Sequence, residues 1–181
     1  HSFSRIHGHT TTTNTHNGLG QKTQVVNNLR GTENFTYSTA TGLMDRWEHK
    51  GTDGSTLMGG ADFLYDIQGR QTKATYNDGR VVEYRYDKAS NKAKGQIWEE
   101  IVKDPSSTTI LERQFSYDSM GNISALQVTM GEKTHTLATQ TNPQGGVTKK
   151  TYPSGRVVYY DYHNGSNEAE KGLLHTIKDS S

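Results

Sequence analysis

A long internal repeat is the feature that most limits what this chain can fold into. When the 181-residue sequence is aligned with itself at an offset of 76 positions, residues 65–91 lie over residues 141–167 without a gap. Fourteen of these 27 positions are identical, among them Gly79/Gly155 and Arg80/Arg156. A match at this level far exceeds chance for the composition. The sequence therefore contains a tandem duplication, and both copies are expected to fold as the same unit.

The duplication predicts how the chain is divided. Residues 17–23 resemble residues 66–72, so the start of the chain is expected to hold the end of a preceding repeat. A run of threonines at residues 10–13 is interpreted as a polar linker in preference to a β edge. The predicted parts are a polar head with the end of a preceding repeat at 1–34, a first repeat unit at 35–104, a connector at 105–114 and a second repeat unit at 115–181.

A short turn motif recurs within the units. Asp66 follows Tyr65 and stands three positions before Gly69, and the same arrangement returns at Asp118. Asp at the first position and Gly at the fourth favour a type I turn, because the carboxylate accepts from backbone N–H groups ahead of it and Gly tolerates positive φ. The residues predicted to build such turns are Tyr65, Asp66, Gly69, Gly79, Tyr86, Asp87, Tyr117, Asp118, Gly121 and Gly155.

Period-two alternation follows the turns. Residues 82, 84 and 86 share one face of a predicted strand, and residues 158, 160 and 162 repeat that face in the second unit. Further strands are predicted near residues 21–26, 33–37, 71–76, 96–102, 110–116, 123–130, 133–139, 146–151 and 173–178. Strand or loop is preferred over helix after Ser90, because Gly95 interrupts that segment. The predicted fold is all-β, with tandem antiparallel β-hairpin repeats in an open or spiralling sheet.

Composition excludes several classes of function. Hydrophobic residues make up 30% of the chain, so each strand can bury one face at most. A net charge of +1 provides no field that would attract nucleic acid. The absence of cysteine removes disulfides, thiol catalysis and zinc-thiolate sites. No apolar run approaches the roughly 18 residues of a membrane helix, and we predict no cofactor, no metal and no membrane span.

The combined pattern resembles the YD-repeat family of Rhs proteins, toxin-complex shell components and teneurins. It consists of Tyr-Asp-x-x-Gly turns, Tyr-x-x-Gly-Arg turns and Tyr-x-Tyr-Asp strands, and it covers nearly the whole chain after about residue 15. The resemblance implies a β-sheet ribbon that spirals into a hollow shell, encloses a toxin or presents an adhesive surface. The Asp-Pro-x-Gly-Leu motif of Rhs cores has no counterpart, because Asp104-Pro105 continues with Ser106-Ser107.

Ionisable side chains suggest rival interpretations. Asp66, Asp87 and Asp118 are predicted to cap turns in preference to binding a metal. His1 could ligate copper through its amine and imidazole, as in polysaccharide monooxygenases, but nothing else in the chain resembles those enzymes. The other histidines near the start, His7, His9 and His16, are expected to be exposed. No catalytic residue is predicted. The carboxylates considered as a glycosidase pair, and expected instead on a solvated strand face, are Glu99, Glu100, Asp104 and Glu112.

A row of tyrosines is the one positive binding feature. Tyrosine rings can stack on sugars or on a protein partner, although packing across strands is the preferred role here. Because the two units match, any site is expected to occur twice, about one repeat apart. The candidate ligand-binding residues are Tyr84, Tyr86, Arg80, Tyr160, Tyr162 and Arg156.

Three hypotheses about function follow. The first is a non-catalytic structural segment of a secreted or surface-exposed bacterial YD-repeat protein, which builds a shell or fibre wall. The second is a glycan-binding adhesin or filament module, and the third is a polysaccharide-active enzyme. The predicted partners are further YD repeats of the same or another chain, through edge-to-edge β pairing, with a glycan or an enclosed toxin as further candidates. Nucleic acid is not a predicted partner.

Overall fold

The structure is a computed structural model that describes residues 10–163 and 172–180. The chain divides into two compact units, the first ending at Val81 and the second beginning at Val82. The possible copper ligand His1, the histidines His7 and His9, and the end of the second repeat copy at residues 164–167 lie outside the described residues. The repeat boundaries stay a prediction from the sequence.

Strands make up almost all of the regular structure. The first unit contains β1 (Thr12–His16), β2 (Lys22–Asn27), β3 (Gly31–Tyr37), β4 (Met44–Lys50), β5 (Leu57–Tyr65) and β6 (Gln71–Tyr76). β7 (Val81–Tyr86) begins at the boundary, and the second unit continues with β8 (Ile97–Lys103), β9 (Thr109–Tyr117), β10 (Ile123–Met130), β11 (Lys133–Thr141), β12 (Val147–Thr151), β13 (Val157–Tyr162) and β14 (Leu174–Ser180). One 3-10 turn, at Ala89–Asn91, is the single helical element of the described residues.

Each strand pairs with its neighbours in the chain. In the first unit β1 to β6 pair in sequence order, and in the second unit β8 to β14 do the same, always antiparallel. This arrangement confirms the predicted fold class, tandem antiparallel hairpins in open sheets. Short connections make the antiparallel pairing possible, since a tight turn returns the chain beside itself.

Three strands were not predicted. β1 contains Thr12 and pairs with β2, so the interpretation of the threonine run as a linker is wrong. β4 carries mixed charges that hide its alternation, and β5 contains Gly59 and Gly60, which suggest a break. These glycines have a packing role instead, because a Cβ at Gly60 would come within 3.0 Å of the Trp47 carbonyl oxygen on β4.

The hydrophobic core is sparse. The buried apolar residues of the described chain are Ala61, Ala74, Val82, Ala93, Ile101, Tyr117 and Val158. Larger side chains remain at the surface, with Ile67 98% exposed and Leu19 82% exposed. Backbone pairing and side-chain-to-backbone hydrogen bonds must therefore carry much of the order in each sheet.

Candidate functional site

The hairpin turns share one hydrogen-bond pattern. Asp66 Oδ1 accepts from the backbone N–H groups of Gln68 and Arg70, both at 2.9 Å. The Gly69 N–H donates to the Asp66 carbonyl at 3.0 Å, and Gly69 has a φ of 79°, which a side chain would disfavour. The turns in which an Asp or Asn accepts in this way from the residues two and four positions ahead start at Asn17, Asp66, Asp104, Asp118 and Asn142.

Two of the turn carboxylates illustrate the electrostatics of this pattern. The pKa of Asp118 is lowered, first by a hydrogen bond from the Thr141 hydroxyl at 2.6 Å and then by one from the Asn122 amide. Hydrogen bonds from Ser106 and Thr108 lower the pKa of Asp104. Donors that favour the charged form keep these carboxylates ionised, which suits an acceptor in a turn rather than a proton donor.

Other predicted turn residues differ in detail. Gly79 and Gly155 donate to the carbonyls of Tyr76 and Tyr152, each at 2.9 Å, so these turns lack a leading Asp but keep the same backbone bond. Asp87 does not open a four-residue turn of this kind, because it accepts from the Gly95 N–H eight positions ahead and has a φ of 63°. The bond between Asp87 and Gly95 joins the two ends of a longer loop.

The strand-ending tyrosines reach back to the preceding strand. Tyr65, the last residue of β5, donates its hydroxyl hydrogen to the carbonyl of Met44, the first residue of β4, at 2.8 Å. Tyr117 at the end of β9 bonds the first carbonyl of β8 in the same way. The same bond joins Tyr37 to Lys22 and Tyr162 to Val147, which gives a set of Tyr37, Tyr65, Tyr117 and Tyr162. We call them the clamp tyrosines.

A groove of about 1040 Å³ opens in the second unit. It lies where β12 and β13 separate, because their ladder contains only three pairs and ends at Lys149↔Tyr159. Beyond that point the Tyr162 hydroxyl, 2.9 Å from the Val147 carbonyl oxygen, spans the gap with a side chain. The groove is lined by Gln140, Asn142, Gln144, Gly146, Thr148, Lys149, Tyr159, Tyr160, Asp161, Tyr162, His163 and Gly172.

The groove contains two of the six candidate ligand-binding residues, Tyr160 and Tyr162. Arg80 and Arg156 lie instead over the rings of Tyr76 and Tyr152, at 5.1 and 5.8 Å from the ring centroids. Tyr84 and Tyr86 are half-buried residues of β7.

Sequence reasoning missed the other lining residues. Gln140 and Asn142 looked like ordinary polar positions, because the separation of β12 from β13 is not visible in the sequence. The available signal was a difference between the repeat copies: Gly146 takes the place of Arg70, and Tyr159 takes the place of Glu83.

The four carboxylates considered as a catalytic pair have structural partners. Glu99 is 4% exposed and bonds Arg85, while the Glu100 carboxylate lies 2.7 Å from Arg113. Glu112 accepts from Gln114, and Asp104 belongs to a turn. Among residues 10–163 and 172–180, no group of three or more His, Cys, Asp or Glu could hold a metal ion. No helix in the same ranges has the length and apolarity to cross a membrane.

The fold and its turns define a tandem β-hairpin repeat protein, and solved structures share this fold. The chain is similar to the crystal structure of TcdB2-TccC3-Cdc42, with a TM-score of 0.76 and 14% identity over 94% of this chain. The crystal structure of TcdB2-TccC3-TEV gives a TM-score of 0.74 with the same identity and coverage. This chain spans 9% of the length of each of those chains.

The comparisons with sequences give a different result. No family model matches the chain. No curated protein matches it either. At 14% identity this similarity shows the fold alone, and at the level of the fold it confirms the resemblance that the turn motifs predicted.

Proposed function

We propose that this chain is a non-catalytic structural segment of a secreted or surface-exposed bacterial YD-repeat protein, where it builds part of a β-sheet shell or fibre wall. One observation carries the proposal. The side chains of the Tyr-Asp motif form hydrogen bonds with the backbone of the sheet itself. Tyr65 donates to the Met44 carbonyl, and Asp66 accepts from N–H groups of the turn ahead of it. A motif whose side chains hold neighbouring strands together fits a structural role in a sheet wall.

The surface of the chain supports the same role. Large apolar side chains such as Leu64, 59% exposed, and Met58, 64% exposed, face solvent where a compact domain would bury them. Neighbouring repeats, packed edge to edge or face to face, would cover such side chains. The proposed partners are therefore further YD repeats, and the proposed content of the shell is a toxin, as the resemblance of the turn motifs to YD-repeat proteins implies.

An imaging experiment on the natural full-length protein tests this role. An epitope inserted in the exposed turn at Gly131, between β10 and β11, is labelled with an antibody fragment and located by cryo-electron microscopy. A second epitope in the exposed turn at Gly54, between β4 and β5, labels the first unit in the same way.

We expect both fragments to bind along the wall of a hollow particle or filament. Labels found together on a solid, compact domain beside the assembly would overturn the proposal. Any hydrolytic activity of the isolated chain on polysaccharides would contradict its non-catalytic part.

A further inference from the structure

Two histidines meet at the base of the hairpin that β13 and β14 form. His163 directly follows β13, and His175 is the second residue of β14, so 12 positions separate them in the sequence. Nε2 of His163 lies 3.0 Å from Nδ1 of His175, and the two ring centroids are 4.2 Å apart. The ring planes cross at 64°, so the rings do not stack face to face. The two side chains approach each other through ring nitrogens.

An irregularity in the strand pairing accounts for the position of His175. Asp161 pairs with Thr176 and Tyr162 pairs with Leu174, so His175 is an extra residue on β14 between two pairs of the ladder. An extra residue of this kind bends the strand and re-aims a side chain, and such bulges are frequent beside functional sites. The bulge explains why His175 reaches His163, a contact that regular pairing does not predict.

The backbone holds His163 at the same place. Its N–H donates to the Leu173 carbonyl at 2.9 Å, and its carbonyl accepts from the Gly172 N–H at 2.8 Å. Gly172 has a φ of 83°, a conformation that a side chain would disfavour. Both histidines thus belong to backbone that is hydrogen-bonded across the hairpin, and little reorganisation is needed to keep the rings together.

The distance between the two nitrogens suits a shared metal ion. A bond from zinc to an imidazole nitrogen is about 2.0–2.1 Å long, so two such nitrogens lie about 2.8–3.4 Å apart for angles of about 90–110° at the ion. Each neutral imidazole has one nitrogen with a lone pair, and the tautomer decides which one. A hydrogen bond between the rings needs one N–H and one lone pair, and a bound ion would replace that proton.

The surroundings allow a cation to reach the pair. The charges on the two strands are paired already, Asp161 with Lys178 at 2.8 Å and Asp179 with Arg156 at 2.6 Å, so no unpaired lysine of these strands would repel the ion. The side chain of His175 is exposed. Because the described residues contain no group of three potential ligands, water or another small ligand would complete the coordination.

We propose that His163 and His175 bind a divalent transition-metal ion such as Zn²⁺, which joins β14 to β13. Imidazole nitrogen suits such ions, whereas Mg²⁺ prefers oxygen ligands. The proposal differs from the sequence prediction of no metal. That prediction depended on spacing along the chain, and only the bulge on β14 brings the two histidines together.

The pair is a feature of the second repeat copy. In the first copy the Asp87 N–H donates to the Gln96 carbonyl at 3.3 Å, which corresponds to the bond that the His163 N–H makes in the second copy. Asp87 therefore takes the place of His163, and Trp98, two positions after Gln96, takes the place of His175. A carboxylate and an indole cannot form an imidazole pair, so a site of this kind is expected once in the chain.

Hydrogen exchange of the full chain, followed by mass spectrometry, tests the site with Zn²⁺ and with Mg²⁺ as the control ion. The readout must be local, because histidines near the start of the chain can also bind zinc. His175→Gln removes one ligand at an exposed position and keeps a side chain that can form hydrogen bonds, and His163→Gln repeats the test at the other ligand. His135→Gln is the matched control, since it changes an exposed histidine on β11 of the same unit.

We expect zinc to slow exchange of the β14 amides, by about tenfold at ten times its dissociation constant, because an ion that binds only the paired hairpin lowers the open population in that proportion. Mg²⁺ should have no effect. Both ligand variants should lose the slowing, and His135→Gln should keep it. Unchanged exchange of β14 with zinc, or equal slowing in the folded ligand variants, would overturn the proposal. Slowing that occurs only when zinc links two copies, as sedimentation would show, would place the site between chains and would also overturn it.

Discussion

At the scale of single residues, the tyrosines that end strands have a structural role that the sequence alone does not reveal. Each clamp tyrosine donates to the first carbonyl of the preceding strand. Its hydroxyl replaces the backbone N–H donor that is missing there, because the pairing between the two strands does not extend to that residue. Burial accompanies this role at Tyr117, which is 8% exposed, and it raises the pKa of that hydroxyl above its usual range. The Tyr117 hydroxyl therefore stays protonated near neutral pH and can donate its hydrogen bond.

Removal of one clamp hydroxyl should destabilise the second unit. Tyr117→Phe keeps the ring but leaves the Ile97 carbonyl without its partner, so we expect the free energy of unfolding to fall by about 1 kcal/mol. Urea unfolding followed by circular dichroism measures the change. Tyr159→Phe is the control, because the Tyr159 hydroxyl bonds to none of the described residues. Equal stability of all three proteins would refute the clamp role.

Sequence reasoning worked at this scale only over short distances. The acceptors of Asp66 lie two and four positions ahead, so the turn chemistry could be inferred from local spacing. Tyr117 bonds a carbonyl 20 positions earlier, and that distance depends on strand lengths that no local rule gives. Ser107 shows another limit. It occupies the place of the turn glycine with a φ of 68°, although serine disfavours that conformation.

At the scale of elements, the turns connect one hairpin to the next. Asp118 opens the turn between β9 and β10, and its second carboxylate oxygen accepts from Thr141 at the end of β11. Turn and strand end are thus joined through one ionised group. Strands with clear alternation, such as β7 and β13, were predictable, whereas β4 and β5 depend on the fit of Trp47 against two glycines.

This junction should make the second unit sensitive to acid. The folded pKa of Asp118 lies below its unfolded value, so its contribution is complete above about pH 4 and is lost as the pH falls through the folded pKa. Asp118→Asn cannot accept at that second oxygen position. We expect the variant to be less stable than the wild type at pH 7, with a difference that shrinks steadily below about pH 4.

Thermal unfolding at a series of pH values from neutral to strongly acidic measures this difference. Asp45→Asn provides the control, because Asp45 is exposed and accepts no hydrogen bond from the described residues. Parallel stability curves for wild type and Asp118→Asn would show that the junction does not contribute.

At the scale of the whole molecule, the strands at the two ends of the chain order have open edges. Among the described strands, β14 pairs only with β13 and β1 pairs only with β2. An unpaired edge exposes backbone N–H and C=O groups, and only three prolines occur in the chain to block such contacts. Ile177 on β14, 58% exposed, adds apolar surface to this edge.

The isolated chain should therefore associate through its edges. We expect the mean mass measured by sedimentation to rise with protein concentration. Ile177→Lys should reduce this association, because charge on an edge strand opposes pairing. Ile67→Lys alters a more exposed isoleucine in a turn, and it should leave the association unchanged. A wild-type chain that stays monomeric at all concentrations would contradict the prediction.

The nearest-neighbour pairing of the strands also bears on how the chain acquires its structure. Contacts between strands adjacent in sequence close only short loops, which keeps the contact order low and favours rapid folding. A hairpin can form as soon as its second strand is available, and each clamp tyrosine then secures the strand that was made just before it. Such a chain can acquire its order progressively from one end as it is synthesised.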